Sequence, residues 1–290
     1  MKKFVISAVL LSLHNLIFAV YSDTTINDTN RHAYGANFGW INARGDVTNG
    51  MYMSQFFCTG YVWSANCGWI HLGVGPTNGY KYSNSSAHDF GVNVQGNQLR
   101  GFAYGANIGW INFETNGNPR IDLLTGKMNG YAWGANVGWI SLSNSFAHVQ
   151  TDSLKPGPDT DSDGIPDAWE YSHAGELVTF GPHPDDDDLD GMSDFEEYLA
   201  DTDPDNSDVY LRITEIAHLN PTSQVTWTAS PTRLYLLEQS TTTTNNSGWV
   251  DSGLGLMAPG IDPTLTREVL DPASTTRFYR AKAVVPLQMP

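Results

Sequence analysis

The chain is poor in cysteine, in positive charge and in long apolar runs. Its 290 residues include 2 Cys and 15 Lys plus Arg. Two cysteines exclude a disulfide-dense scaffold, and no Cys/His zinc spacing is present. With 31 Asp plus Glu and a net charge of −16, the balance excludes the basic surface that a nucleic-acid partner requires. After residue 20 no stretch is apolar enough to cross a bilayer as a helix, which takes about 20 residues. His-Glu-x-x-His, Gly-x-Ser-x-Gly and a phosphate-cradling Gly loop are also missing. Glu114 and Asp122 are the nearest thing to a carboxylate pair of the kind a polysaccharide hydrolase uses, and eight residues of separation say little.

What is present begins with Met1-Lys2-Lys3 and an apolar run from Phe4 to about Val20, interrupted by His14 and Asn15. A basic start, an apolar core and small-residue cleavage after Ala19 describe a secretory signal peptide over residues 1–19, with an uncleaved anchor as the alternative. The mature protein is then expected to be secreted or held at the cell surface, without a membrane span.

The excess negative charge sits in one place. Gly157 to Asp208 carries 14 Asp, 4 Glu and no Lys or Arg. Elsewhere in the mature chain acids and bases balance. So local a charge points to cation binding or to a solvated linker.

Upstream, one phrase occurs four times: Tyr34-Gly-Ala-Asn-Phe-Gly-Trp40-Ile, Trp63-Ser-Ala-Asn-Cys-Gly-Trp69-Ile, Tyr104-Gly-Ala-Asn-Ile-Gly-Trp110-Ile and Trp133-Gly-Ala-Asn-Val-Gly-Trp139-Ile. The Trp spacings of 29, 41 and 29 describe a duplicated pair with an insertion around Gly75 to His88. Each unit reads strand, turn, strand, turn, strand, because Gly and Asn accept tight turns and the flanks are aromatic or β-branched. Residues 23–150 are therefore expected to form an all-β repeat domain of roughly ten to twelve short strands.

Within it, Cys58 stands where later units have Leu99 and Met128, and Cys67 where others have Phe38, Ile108 and Val137. Paired replacement across one turn, in an exported protein, predicts a Cys58–Cys67 disulfide, with two buried thiols as the alternative. Aromatics recurring at fixed places fit core packing or a sugar-stacking platform. The turn-flanking Tyr34, Trp63, Tyr104 and Trp133 are the candidates for ligand stacking, whereas Trp40, Trp69, Trp110 and Trp139 read as buried strand residues. His71, where other units have Asn or Ser, reads as surface variation. The phrase resembles repeats of bacterial surface and secreted proteins, Gly-Tyr-Ala-Trp-(Gly/Ser)-x-Asn-x-Gly-Trp-Ile, a resemblance that covers most of residues 31–142 and implies no particular activity.

The acidic segment, residues 157–208, holds two loops with one spacing. Asp159, Asp161, Asp163, Ile165, Asp167 and Glu170 fall at loop positions 1, 3, 5, 7, 9 and 12, with Gly164 at 6. Asp186, Asp188, Asp190, Met192, Asp194 and Glu197 repeat this around Gly191. Calcium is a hard cation that takes six to eight oxygens, and this spacing wraps carboxylates, the position-7 carbonyl and a bidentate Glu around one ion. Short helices are expected at about Pro166 to Ser172 and Ser193 to Ala200. Pro156, Pro158, Pro182 and Pro184 argue against an entering helix before either loop. The segment thus resembles bacterial thrombospondin type 3 repeats more than paired EF-hands. That resemblance implies structural Ca2+ and, through Thr202-Asp203-Pro204-Asp205, an added ligand from Asp203.

Residues 209–290 alternate apolar and polar in short runs (Tyr210–Ile216, Val225–Thr228, Leu234–Gln239, Trp249–Val250, Arg277–Val284) separated by Pro, Thr, Asn and Gly, with a polar loop at Thr241–Asn246. This predicts a small β-sandwich, which weakly resembles a fibronectin type III domain. The fold class expected is mainly β: repeat domain, calcium-loop spacer, sandwich. The function expected is structural or adhesive, with glycans or other surface proteins as partners. A carbohydrate-binding protein and a secreted polysaccharide hydrolase are the alternatives.

Overall fold

The computed structural model describes residues 23–288 except 115, 178–179, 220, 244–247 and 271–275. The expected signal peptide and its cleavage point lie outside the described residues, as does part of the Thr241–Asn246 loop. The chain is mainly β, with two short helices among the described residues.

Each repeat phrase is one antiparallel hairpin. The four are Ile26–Gly35 with Gly39–Asn42, Tyr61–Ser64 with Gly68–His71, Gln98–Gly105 with Gly109–Asn112, and Tyr131–Gly134 with Gly138–Ser141. Every hairpin pairs with the next, and the fourth returns to the first through Tyr34↔Ser141 and Gly35↔Ile140. The eight strands therefore close on themselves as a barrel, which removes the exposed edge an open sheet would present.

The interior follows from strand alternation. Ala33, Val62, Ala103 and Ala132 point inward from the first strands, and Ile41, Ile70, Ile111 and Ile140 from the second; all eight are buried. Phe38, Cys67, Ile108 and Val137 close one end. Small residues on one strand opposite branched ones on the next fill a barrel of this size with side chains.

Since the Ile of each Gly-Trp-Ile faces in, its neighbour must face out. Trp40, Trp69, Trp110 and Trp139 are 43–48 % exposed, which corrects the expectation that they are buried. Tyr34, Trp63, Tyr104 and Trp133 lie outside too, at 37–39 %. Each packs obliquely or edge-on against the Trp across its hairpin, at centroid distances of 4.8–4.9 Å.

The Asn of each phrase closes the ring at the turns. Asn66 Nδ2–H donates to the Phe38 carbonyl (2.8 Å), Asn107 to Cys67 (3.1 Å), Asn136 to Ile108 (3.1 Å) and Asn37 to Val137 (3.0 Å). Every turn is thus bonded to the one before it, around all four hairpins.

The glycines of the phrase have separate reasons. Gly39, Gly68, Gly109 and Gly138 take φ of +76° to +86°, which side chains resist. Gly35, Gly105 and Gly134 have no such φ, but a Cβ there would come within 2.1–2.7 Å of Phe38, Ile108 or Val137. The second hairpin has Ser64 at that place, and the residue opposite is the small Cys67. This accounts for Cys67 without a sulfur partner. Cys58 and Cys67 are both buried and free, so the expected disulfide is not formed. Cys58 donates instead to Met53 Sδ at 3.1 Å, and burial pushes its thiol pKa up.

Beyond the barrel, Ile213–His218, Thr222–Thr228 and Thr264–Leu270 form one three-stranded sheet, and Val250–Asp251, Leu234–Ser240 and Phe278–Val284 another. Val225, Trp227, Tyr235, Leu237, Leu265 and Val269 fill the space between them. Leu234 and Leu287 reach the barrel core, so the sandwich packs on the barrel.

Candidate metal centre

Between barrel and sandwich lie the two acidic loops, each running into a helix: α1 (Asp167–Ala174) and α2 (Asp194–Ala200). Pro166 and Ser193, expected as first helical residues, are the N-caps. Ser193 forms a capping box with Glu196, and both first turns are acidic, as the helix dipole favours.

The loops repeat one geometry. Position 4 is left-handed in both (Ser162 and Leu189, φ 64°), and position 6 is Gly at 98° and 99°. Asp159 accepts N–H bonds from Ser162 (2.8 Å) and Gly164 (3.1 Å); Asp186 accepts from Leu189 (2.8 Å) and Gly191 (3.1 Å). Asp163 accepts from Ile165 (2.7 Å) and Asp190 from Met192 (2.8 Å). These bonds curl the chain so that carboxylate oxygens of Asp159, Asp161 and Asp163 lie within 4.8 Å of one another, as do those of Asp186, Asp188 and Asp190.

The position-12 residues lie close enough to influence the triads but are not among the oxygens grouped within 4.8 Å, and Glu170 Oε1 accepts the Phe180 N–H at 3.2 Å. Glu170 and Glu197 are fully buried. Glu170 acts electrostatically on Asp163, and Asp188, Asp190 and Asp194 act on Glu197. Several buried oxygens in the loops have no hydrogen-bond partner: Oδ2 of Asp163, Asp188 and Asp190, and Oε2 of Glu197. Burial, with help from the neighbouring carboxylates, pushes Asp163 up to about 6 and Glu197 up to about 8. A group of hard oxygen donors, left unpaired in a confined loop and reluctant to ionise together, is chemically suited to a divalent cation.

Three expected ligands take other places. Both oxygens of Asp167 accept from Thr160, at 2.7 and 2.6 Å, and those of Asp194 accept N–H bonds from Asp187 (3.1 Å) and Gly181 (3.0 Å). Position 9 therefore clasps the loop backbone. Asp203 lies with neither triad; its Oδ1 faces His173 Nδ1 at 3.9 Å. The position-7 residues Ile165 and Met192 follow their left-handed glycines as the spacing requires, and Ile165 is fully buried.

One residue was missed by sequence reasoning. Asp201, in a left-handed conformation at the end of α2, accepts from the Trp169 indole (3.1 Å), the Ser230 hydroxyl (2.9 Å) and the Thr232 hydroxyl, and lies 3.6 Å from Arg233. Burial alone would raise its pKa, but Arg233 and these donors hold it below the usual range. Arg233 also donates to the carbonyls of Leu199 (3.0 Å) and Tyr198 (2.7 Å). The segment therefore has its own small core of Ile165, Trp169, Phe180 and Tyr198 and is tied to the sandwich at the Asp201 carboxylate and at the carbonyls of Tyr198 and Leu199.

Elsewhere, Asp122 accepts N–H bonds from Leu124 and Thr125 in a turn, and no bond joins it to the exposed Glu114. Among the described residues no helix is long and apolar enough to cross a membrane. No protein-family model, curated protein or solved structure matches this chain.

Proposed function

We propose that this is a secreted or cell-surface structural and adhesive protein. Its acidic segment, built like a thrombospondin type 3 repeat, binds two calcium ions and so fixes the sandwich against the barrel. The observation that carries this reading is the pair of loops with the same hydrogen bonds and the same left-handed positions, both containing buried carboxylate oxygens that no protein donor satisfies.

The segment's carboxylates, with no Lys or Arg among them, repel one another when no cation is present. Bound calcium removes that repulsion and supplies the missing partners. Extracellular calcium modules bind with Kd of roughly 10⁻⁴ to 10⁻³ M, which suits a resident structural ion and not an intracellular switch.

Limited proteolysis of the mature protein, in millimolar calcium and in chelator, tests the role. Protection of residues 157–208 by calcium, lost in Asp161→Ala and Asp188→Ala, supports it. Equal cleavage in both conditions contradicts it.

A further inference from the structure

Five rings form an unbroken ribbon across the outer face of the second and third hairpins. Trp69 packs edge-on to Tyr61 (6.3 Å between centroids), and Tyr61 stacks on His71 (4.5 Å, 14° between planes). His71 meets Phe90 edge-on (5.3 Å), and Phe90 meets Trp110 (4.9 Å).

Each end of the ribbon opens into a hollow with a polar rim. One, of about 290 Å³, lies between Trp69, Tyr61, Asp46 and Asn49. The other, of about 380 Å³, lies between Trp110, Phe90, Phe102 and the polar Asn84, Ser85 and Ser86. These hollows fall at the lower end of the size range of ligand sites.

The ribbon exists where the repeat is broken. His71 stands where the other hairpins have Asn42, Asn112 and Ser141, and its ring bridges Tyr61 to Phe90. The insertion from Gly75 to His88 supplies the wall beside Trp110. Among the described residues, Trp40 and Trp139 meet the rings of their own hairpins alone: His32 and Tyr34, and Tyr131 and Trp133.

Chemistry selects the occupant. The excess acid lies in residues 157–208, whereas residues 23–150, which carry the ribbon, hold 6 acids and 6 bases, so the barrel sets no net charge of either sign against a ligand. The rings themselves are uncharged; burial lowers the pKa of His71, which favours its neutral form. Asp46 is held as an acceptor by N–H bonds from Asn49 (3.0 Å) and Thr48 (2.8 Å) and by the Asn49 amide (3.3 Å). The exposed Trp69 and Trp110 at the two ends offer aromatic surface to the C–H faces of pyranose units, and a rim of carboxylate, amide and hydroxyl groups suits their hydroxyls.

We propose that the ribbon from Trp69 to Trp110 is a binding track for an extended, neutral polysaccharide chain. The site belongs to the barrel and stands independently of the calcium reading.

The test is calorimetry on the full mature chain, in calcium, with the neutral hexaoses of glucose, xylose and mannose as probes. At least one binds saturably. Trp69→Ala and Trp110→Ala each weaken it about tenfold, the scale for truncating an aromatic anchor. Trp139→Ala, the repeat equivalent outside the ribbon, changes it less than about twofold. Circular dichroism verifies folding, and Trp69→Phe, which keeps a ring, retains most of the affinity. Absence of saturable binding by all three probes overturns the proposal, as does equal loss in Trp139→Ala. Self-association in sedimentation that Trp69→Ala abolishes makes the track an interface between copies and also overturns it. Calcium titration of the same sample reads the acidic loops separately.

Discussion

The indole N–H of Trp169 donates to the carboxylate of Asp201 at 3.1 Å, joining α1 to the end of α2. Trp169 precedes Glu170, and Asp201 follows the helix that carries Glu197, so both loops meet at one carboxylate. Ser230, Thr232 and Arg233 bring the sandwich to the same atoms. Order in either loop is therefore mechanically linked to the seat of the sandwich.

Removing that carboxylate leaves Arg233 buried without its charge partner. Asp201→Ala is expected to cost about 3 kcal/mol in urea unfolding, the lower end of the cost of breaking a buried pair. The lower end applies because Arg233 keeps its two carbonyl acceptors. Two calcium sites should remain by titration.

The asparagine ring sets a second expectation. Asn107→Ala leaves the Cys67 carbonyl without its donor and should destabilise the barrel by about 1–2 kcal/mol. Asn37, Asn66 and Asn136 should behave alike, because each makes the same bond to its neighbour. Thermal melts of the four variants compare them directly.

Ser64 and Cys67 are expected to be coupled. Cys67→Ile alone crowds the Ser64 Cβ and should cost about 1–3 kcal/mol. Adding Ser64→Gly recreates the Gly105–Ile108 arrangement of the third hairpin and should recover most of the loss in a double-mutant cycle. Thiol titration of the unfolded, unreduced protein should count both cysteines as free.

The acidic loops predict a pH dependence when calcium is chelated. Glu197 rises from 4.5 to about 8 in the folded chain and Asp163 from 3.8 to about 6. A raised folded pKa means that the folded state holds the proton more tightly. The stability this contributes is complete below the unfolded values and is lost as pH rises through about 6 and then about 8. Melts in chelator should therefore weaken across that window, and calcium should abolish the trend. Near pH 7 calcium must displace a proton from Glu197, so the apparent binding heat should vary with the ionisation heat of the buffer.

The turn geometry of the acidic loops was legible in the sequence because it is local: twelve residues and one Gly define it, and both helices appear within two residues of their expected bounds. The hairpins were legible for the same reason. What the repeat asparagines do was not, because Asn37 reaches a carbonyl 100 residues away. The outward Trp residues were misread although the signal was present: the Ile beside each had to take the inner face. The strand Thr264–Leu270 was missed because Arg267 interrupts its alternation, standing between the buried Leu265 and Val269 where an apolar residue would mark the inner face. Asp201 looked like one acid among many, and only the arrival of Arg233 from the sandwich sets it apart.

The most direct test of the central claim is calorimetric titration of calcium into the chelated mature protein. The account predicts two ions bound, one lost in Asp161→Ala and the other in Asp188→Ala, with Kd of roughly 10⁻⁴ to 10⁻³ M. No saturable binding at millimolar calcium would contradict it and would leave the acidic loops as a folded linker without a cation.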